Sequence, residues 1–149
     1  MSKSAEKMIE LVRDGVGTAM PETVSGESVM QDESGYVFLR LAVSVHKDII
    51  TQAGYYASEE IPIDTAAAMA AAAQLMKDRA IMSAALLGAK DIETALEFDG
   101  EARTENGQAV KIAEMMMKEC LRNYSMKYNI ARDERLKNRP KGDEVTPKS

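Results

Sequence analysis

The spacing of hydrophobic and polar positions changes character along the chain, and each change predicts an element. In Ser4–Arg13, Met8, Ile9, Leu11 and Val12 are interleaved with Glu6, Lys7, Glu10 and Arg13, which predicts a short amphipathic helix that Ser2 or Ser4 can cap and Gly15 can end. From Gly15 to Gly35 the pattern dissolves into Gly, Ser, Thr and acidic residues around Met20-Pro21, as expected of a long loop or an irregular edge strand. Period two then takes over. Val37, Leu39, Leu41, Val43 and Val45 fall on one face and Phe38, Arg40, Ala42, Ser44 and His46 on the other, a half-buried strand. A polar turn at His46-Lys47-Asp48 and a return strand over Ile49–Ala57 complete an antiparallel hairpin.

Downstream the period is helical. Pro62 precedes a helix built almost wholly from alanine, with Asp64 as N-cap or first-turn acid and Lys77-Asp78-Arg79 at its end. Alanine is the best helix former and lets backbones approach closely, so this helix is expected to lie tight against a sheet or another helix. "AIMSAALLG" predicts a short helix stopped by Gly88, and "AKDIETALEF" another with Asp91 near its start. Asp99 to Gly107 is polar and is expected to be a flexible loop. The last helix is long, placing Ala109, Ala113, Met116, Met117, Cys120, Leu121, Tyr124 and Tyr128 at spacings of three and four, with Glu114 and Lys118 as a supporting pair. Residues 1–136 are expected to form one domain. Residues 137–149, with two prolines and no apolar stripe, are expected to form a disordered polar tail. The fold class is α+β, a small antiparallel sheet of about three strands with helices packed mainly on one face.

Composition narrows the function. A chain of 149 residues can bury a core without disulfides or metal. Its net charge of -5, with 19 basic and 24 acidic residues spread along it, leaves no electrostatic footprint for nucleic acid or an anionic membrane. The charged positions in "MSKSAEKMIELVRDG" match neither a signal peptide nor a span, so a cytoplasmic location is expected. Cys120, the single cysteine, reads as a small buried hydrophobe rather than a nucleophile. His46, the single histidine, sits in the hairpin turn with no nucleophile arranged around it. No glycine-rich phosphate loop or Cys-x-x-Cys pair occurs. The expectation is a non-enzymatic protein with no cofactor.

Two features suggest a partner surface. Three consecutive residues span most of a helix circumference, so at least one of Met115, Met116 and Met117 should face away from the core, although methionine at helical spacing is usually filler. Tyr55 and Tyr56 adjoin the acidic turn and can line a small pocket, although strand-end tyrosines commonly just straddle core and solvent. Met115, Tyr55 and Tyr56 are the candidate partner contacts.

The order of these elements, with "ITQA" at Ile50–Ala53, the triplet Lys77-Asp78-Arg79 before "AIMSAAL", Asp91-Ile92, and "IAEMMMKECLRNY" on the last helix, resembles the iron-sulfur scaffold family of IscU and the NifU N-terminal domain from about Gly17 to Tyr124. The resemblance implies a site where three cysteines hold a nascent cluster, with an aspartate two residues after the first and a histidine beside the third; thiolates suit iron-sulfide binding. Carried over by position, the first cysteine falls on Gly35 and its aspartate on Val37. The second falls in the turn Glu59 to Pro62, here placed at Pro62, and the third on Ala109 with Gln108 in place of the histidine. All three thiolates are absent. The family's chaperone-recognition motif "LPPVK" is also missing, the loop reading "EARTENGQAVK".

The resemblance therefore implies a scaffold-like protein that has lost its ligands and acts as an accessory or interaction subunit. Its implied protein partner is an iron-sulfur redox enzyme or a component of the iron-sulfur assembly machinery. The alternative is an atypical metal-handling assembly protein that shares ligands with its partner. Glu59, Glu60 and Asp64 are the weak candidates for a hard cation, against the blander reading of a solvated acidic turn ahead of a helix.

Overall fold

The computed structural model describes residues 2–137. It is α+β, with a three-stranded antiparallel sheet in the order β1-β2-β3 and six helices. Helix α1 (Lys3–Arg13) begins where the Ser2 hydroxyl accepts the Ala5 N–H at 3.1 Å. It ends in a Schellman arrangement: Gly15 takes φ +66°, and the N–H groups of Gly15 and Val16 return to the carbonyls of Val12 and Leu11.

The sheet consists of β1 (Gly26–Gln31), β2 (Val37–His46) and β3 (Ile49–Ala57). β1 is the edge strand that the sequence left undecided against a loop. At the β1–β2 tip the Asp32 carboxylate accepts the Ser34 hydroxyl at 2.7 Å and the N–H groups of Ser34 and Tyr36. These bonds, led by the Ser34 hydroxyl, hold Asp32 below the usual carboxylate range. The β2–β3 tip places Lys47 and Asp48 at φ 52° and 64°, the two-residue geometry that matches the twist of a hairpin.

Register decides which face is buried. Gly26, Val43 and Ala53 form one cross-strand row, Ser28, Leu41 and Tyr55 the next, and Met30, Leu39 and Ala57 a third. These rows face the helices. The Ser28 hydroxyl donates to the Met116 carbonyl at 2.8 Å, and Gly26 lies so near the last helix that a Cβ there would sit 2.6 Å from that of Tyr124. The outer rows are Glu27, Ala42, Gly54 and Val29, Arg40, Tyr56. Ala42, expected on the polar face, is fully buried. The loop after α1 explains this, because its Ala19–Met20 backbone lies directly against Gly54 and roofs that part of the outer face. The same loop closes the free edge of β3, where the Tyr55 N–H donates to the Gly17 carbonyl at 2.8 Å.

Helix α2 (Ile63–Met76) is the centre of the molecule. Every residue from Thr65 to Ala73 is buried, and the helix touches α1, β3, α4 (Ala89–Ala95) and α6 (Gly107–Lys137). A helix apolar on all sides must be enclosed on all sides. Alanine permits that enclosure, since larger side chains would hold four neighbouring elements apart.

Two expectations are corrected between the long helices. α3 (Ile81–Ala84) is the short helix expected, a single turn. Gly88 does not stop it but starts α4, its N–H donating to the Asp91 carboxylate at 2.9 Å. Asp99 to Gly107 is not a loop throughout but contains α5 (Gly100–Glu105), because the Asp99 carboxylate accepts the Ala102 N–H at 2.8 Å and caps it. Of the expected tail, only Lys137 is described, as the end of α6; residues 138–149 lie outside the described residues. Among the described residues no helix is long and apolar enough to cross a membrane.

Candidate functional site

The first turns of α2 and α6 converge on one cavity of about 340 Å³ against the end of the sheet. Pro62, Asp64 and Thr65 come from the start of α2, Gln108, Ala109 and Ile112 from α6, and Met30 and Phe38 from the strands. α2 begins at Pro62 without a side-chain cap, its N–H groups leaving Asp64 as the first-turn acid that complements the dipole. Phe38 reaches the cavity through a register shift. Met30 pairs with Leu39 and Gln31 with Val37, so Phe38 is the extra residue of a bulge. Its carbonyl accepts the Ser58 N–H at 2.9 Å. A bulge re-aims the side chain that strict alternation would place on the other face.

Three of the five positions carried over from the resemblance, Pro62, Gln108 and Ala109, therefore line one cavity. Val37 directly precedes Phe38, and Gly35 sits at the hairpin tip at φ +91° with nothing within 4 Å of where a Cβ would project. The polar side chains of the lining are those of Asp64, Thr65 and Gln108; neither a thiol nor an imidazole is among them. Cys120 lies eleven residues along α6 from Ala109, about 16 Å away at helical rise. It is fully buried, and burial, followed by the Glu27 charge, pushes its thiol up to about 12. His46 lies at the far end of β2, about 26 Å of strand from Phe38.

The three acidic candidates do not converge. Asp64 opens into the cavity, where its carboxylate meets the Thr65 hydroxyl at 3.4 Å. Glu60 instead accepts the Ser58 hydroxyl at 2.9 Å. Glu59 borders a separate groove of about 580 Å³ between α1 and the end of β3. Among the described residues no group of three His, Cys, Asp or Glu side chains is placed to hold a metal ion.

The candidate partner contacts divide. Met115 is 48 % exposed while the next two residues, Met116 and Met117, are buried, as the helical arithmetic requires. Tyr56 is also exposed; its hydrogen bond with Tyr36, then partial desolvation, raises its phenol. Tyr55, only 4 % exposed, stands on the inner face beside Leu41, where burial raises its phenol, and with Tyr56 it lines the groove of about 580 Å³ beside Glu59. The lining residues missed from sequence were Met30, Phe38, Leu39, Ile61, Thr65 and Ile112. The first two depended on a bulge and an edge strand that period-two reading does not register. No protein-family model and no curated protein matches the chain.

Proposed function

We propose that this protein is a cluster-scaffold-like domain without cluster ligands, acting in the cytoplasm as a non-catalytic accessory or interaction subunit of an iron-sulfur redox enzyme or of the assembly machinery. The observation that carries the reading is the convergence of Pro62, Gln108 and Ala109 on one cavity. In the resembled family the corresponding positions bring thiolates and an imidazole together. Here the same meeting point offers a proline ring, an amide and a methyl group, which bind iron poorly. The lone thiol is too remote and too strongly protonated to substitute. What remains useful is the shape: an open cavity with apolar walls and Asp64 and Gln108 at its rim.

Anaerobic purification from the native host, followed by iron and sulfide reconstitution of the isolated chain, tests the proposal. The isolated chain stays colourless and metal-free, while the chain taken from cells accompanies an iron-sulfur protein that carries all of the iron. A cluster chromophore on the isolated chain overturns the proposal, as does a chain that leaves cells without any such protein. Asp64 supports a second reading, in which one carboxylate from this cavity joins thiolates of the partner. On that reading Asp64→Asn shifts the spectrum of the cluster in the complex.

A further inference from the structure

The outer half of α6 leaves the domain. From Ser125 to Lys137 every residue is exposed, thirteen residues or about 20 Å of helix, and among the described residues its hydrogen bond to the body is the Lys127 ammonium donating to the Val24 carbonyl at 3.4 Å. Isolated helices of that length are marginal in water, and helical stability in proteins comes mainly from packing an amphipathic face. Such a face is present. Glu119, Asn123, Met126, Ile130, Asp133 and Lys137 recur at alternating spacings of four and three, which places them on one narrow stripe. Met126 and Ile130, 55 % and 59 % exposed, form its apolar centre. Beside it lies an open recess of about 380 Å³ between the helix and the start of β1 at Gly26 and Glu27.

The charges along the stripe decide what can cover it. With a second copy antiparallel and the two-fold axis level with Tyr128, Met126 meets Ile130 of the second copy, and Ile130 meets its Met126. Glu119 falls opposite Lys137, Asn123, whose amide also donates to the Glu27 carbonyl of its own chain at 2.9 Å, opposite Asp133, and Arg122 on the flank is level with Glu134. No two like charges are level with each other. Parallel pairing instead stacks Glu119 on Glu119, Asp133 on Asp133 and Lys137 on Lys137. We propose that α6 from Glu119 to Lys137 is a homodimerisation element that pairs antiparallel with the same segment of a second copy of this chain. Each contact then occurs twice, as an isologous two-fold interface requires.

Sedimentation of the full chain from micromolar to sub-millimolar concentration is expected to show a reversible monomer–dimer equilibrium. Ile130→Glu, which keeps a good helix former at an exposed position, is expected to leave a monomer with unchanged melting of the body. Glu119→Lys and Lys137→Glu are each expected to weaken dimerisation by about tenfold, because one substitution removes two symmetric ion pairs. The two together are expected to restore it, a recovery that loss of the Glu119–Arg122 pair within one chain does not give. Direction is read by oxidative cross-linking: Met126→Cys mixed with Ile130→Cys should form disulfide-linked dimers that neither forms efficiently alone. A monomer throughout the concentration range, an Ile130→Glu chain that still dimerises, or rapid self-cross-linking of Met126→Cys overturns the proposal.

Discussion

Helix α2 and the outer half of α6 are two helical segments of similar length with opposite surroundings. Between Thr65 and Ala73, α2 is buried on every side, whereas Ser125 to Lys137 of α6 is exposed on every side. The sequence difference behind this is size and charge rather than helix propensity. α2 minimises side-chain volume so that four elements can close around it; the outer half of α6 carries long charged side chains that favour hydration over burial. Substitutions in α2 should therefore register in stability, and substitutions in the outer helix in association. A variant that crosses this division breaks the comparison.

The largest effect is expected at Met69, the fully buried long side chain in the middle of α2. Met69→Ala leaves a cavity bordered by the sheet and the neighbouring helices and should cost about 2 to 5 kcal/mol in chemical denaturation. A loss below 1 kcal/mol, within the range of a surface change, would show that the enclosure of α2 collapses easily around the gap.

The opposite perturbation comes next. Ala68→Phe and Ala72→Phe each force a large ring into a fully buried position and should cost roughly 1 to 3 kcal/mol through strain and displaced neighbours. Unchanged melting in both would contradict the close packing of α2. Agreement would assign the alanines their role, since the identity of each is then set by space and not by propensity alone.

These two tests also mark how far the sequence could be read. Alternation from Val37 to His46 and the polar turn gave the hairpin, because period two and turn chemistry are local properties. The alanine run gave a helix lying tight against a sheet or another helix for the same reason. What was not legible depended on distant contacts. Ala42 is buried because the loop at Ala19–Met20 crosses Gly54. Phe38 enters the cavity because β1 pairs through a bulge, and Tyr55 turns inward because β3 aligns it with Leu41. In the candidate site, Pro62, Gln108 and Ala109 were reached through the resemblance, whereas Met30, Thr65 and Ile112 become neighbours only once the starts of α2 and α6 meet.

The buried half of α6 offers a subtler test through Cys120. Burial raises its thiol from 9.0 to about 12, so the folded state keeps the proton after the unfolded chain has begun to lose it. The associated stability is complete below about pH 9 and declines as the pH rises from there toward 12. Compared with Cys120→Ala, the parent should lose stability more steeply above pH 9, and its thiol should react with a water-soluble thiol reagent only at the rate of unfolding. Fast labelling of the native protein at neutral pH would show that this half of α6 opens as readily as the outer half.

The smallest effect on stability is expected in the outer half itself. Met126→Glu replaces an exposed side chain with another good helix former, and for the monomer the change should stay within about 0.5 kcal/mol. The measurement belongs at low micromolar concentration, where self-association contributes little. If melting falls well beyond that range in the dilute protein, Met126 stabilises its own domain by packing over Gly26 and Glu27, and the outer helix belongs to the body as α2 does. If dilute melting is unchanged and only the concentration-dependent part of the transition disappears, the one helix holds a fold at one end and offers a contact at the other, because its side chains change from space-filling to charge-bearing after Tyr124.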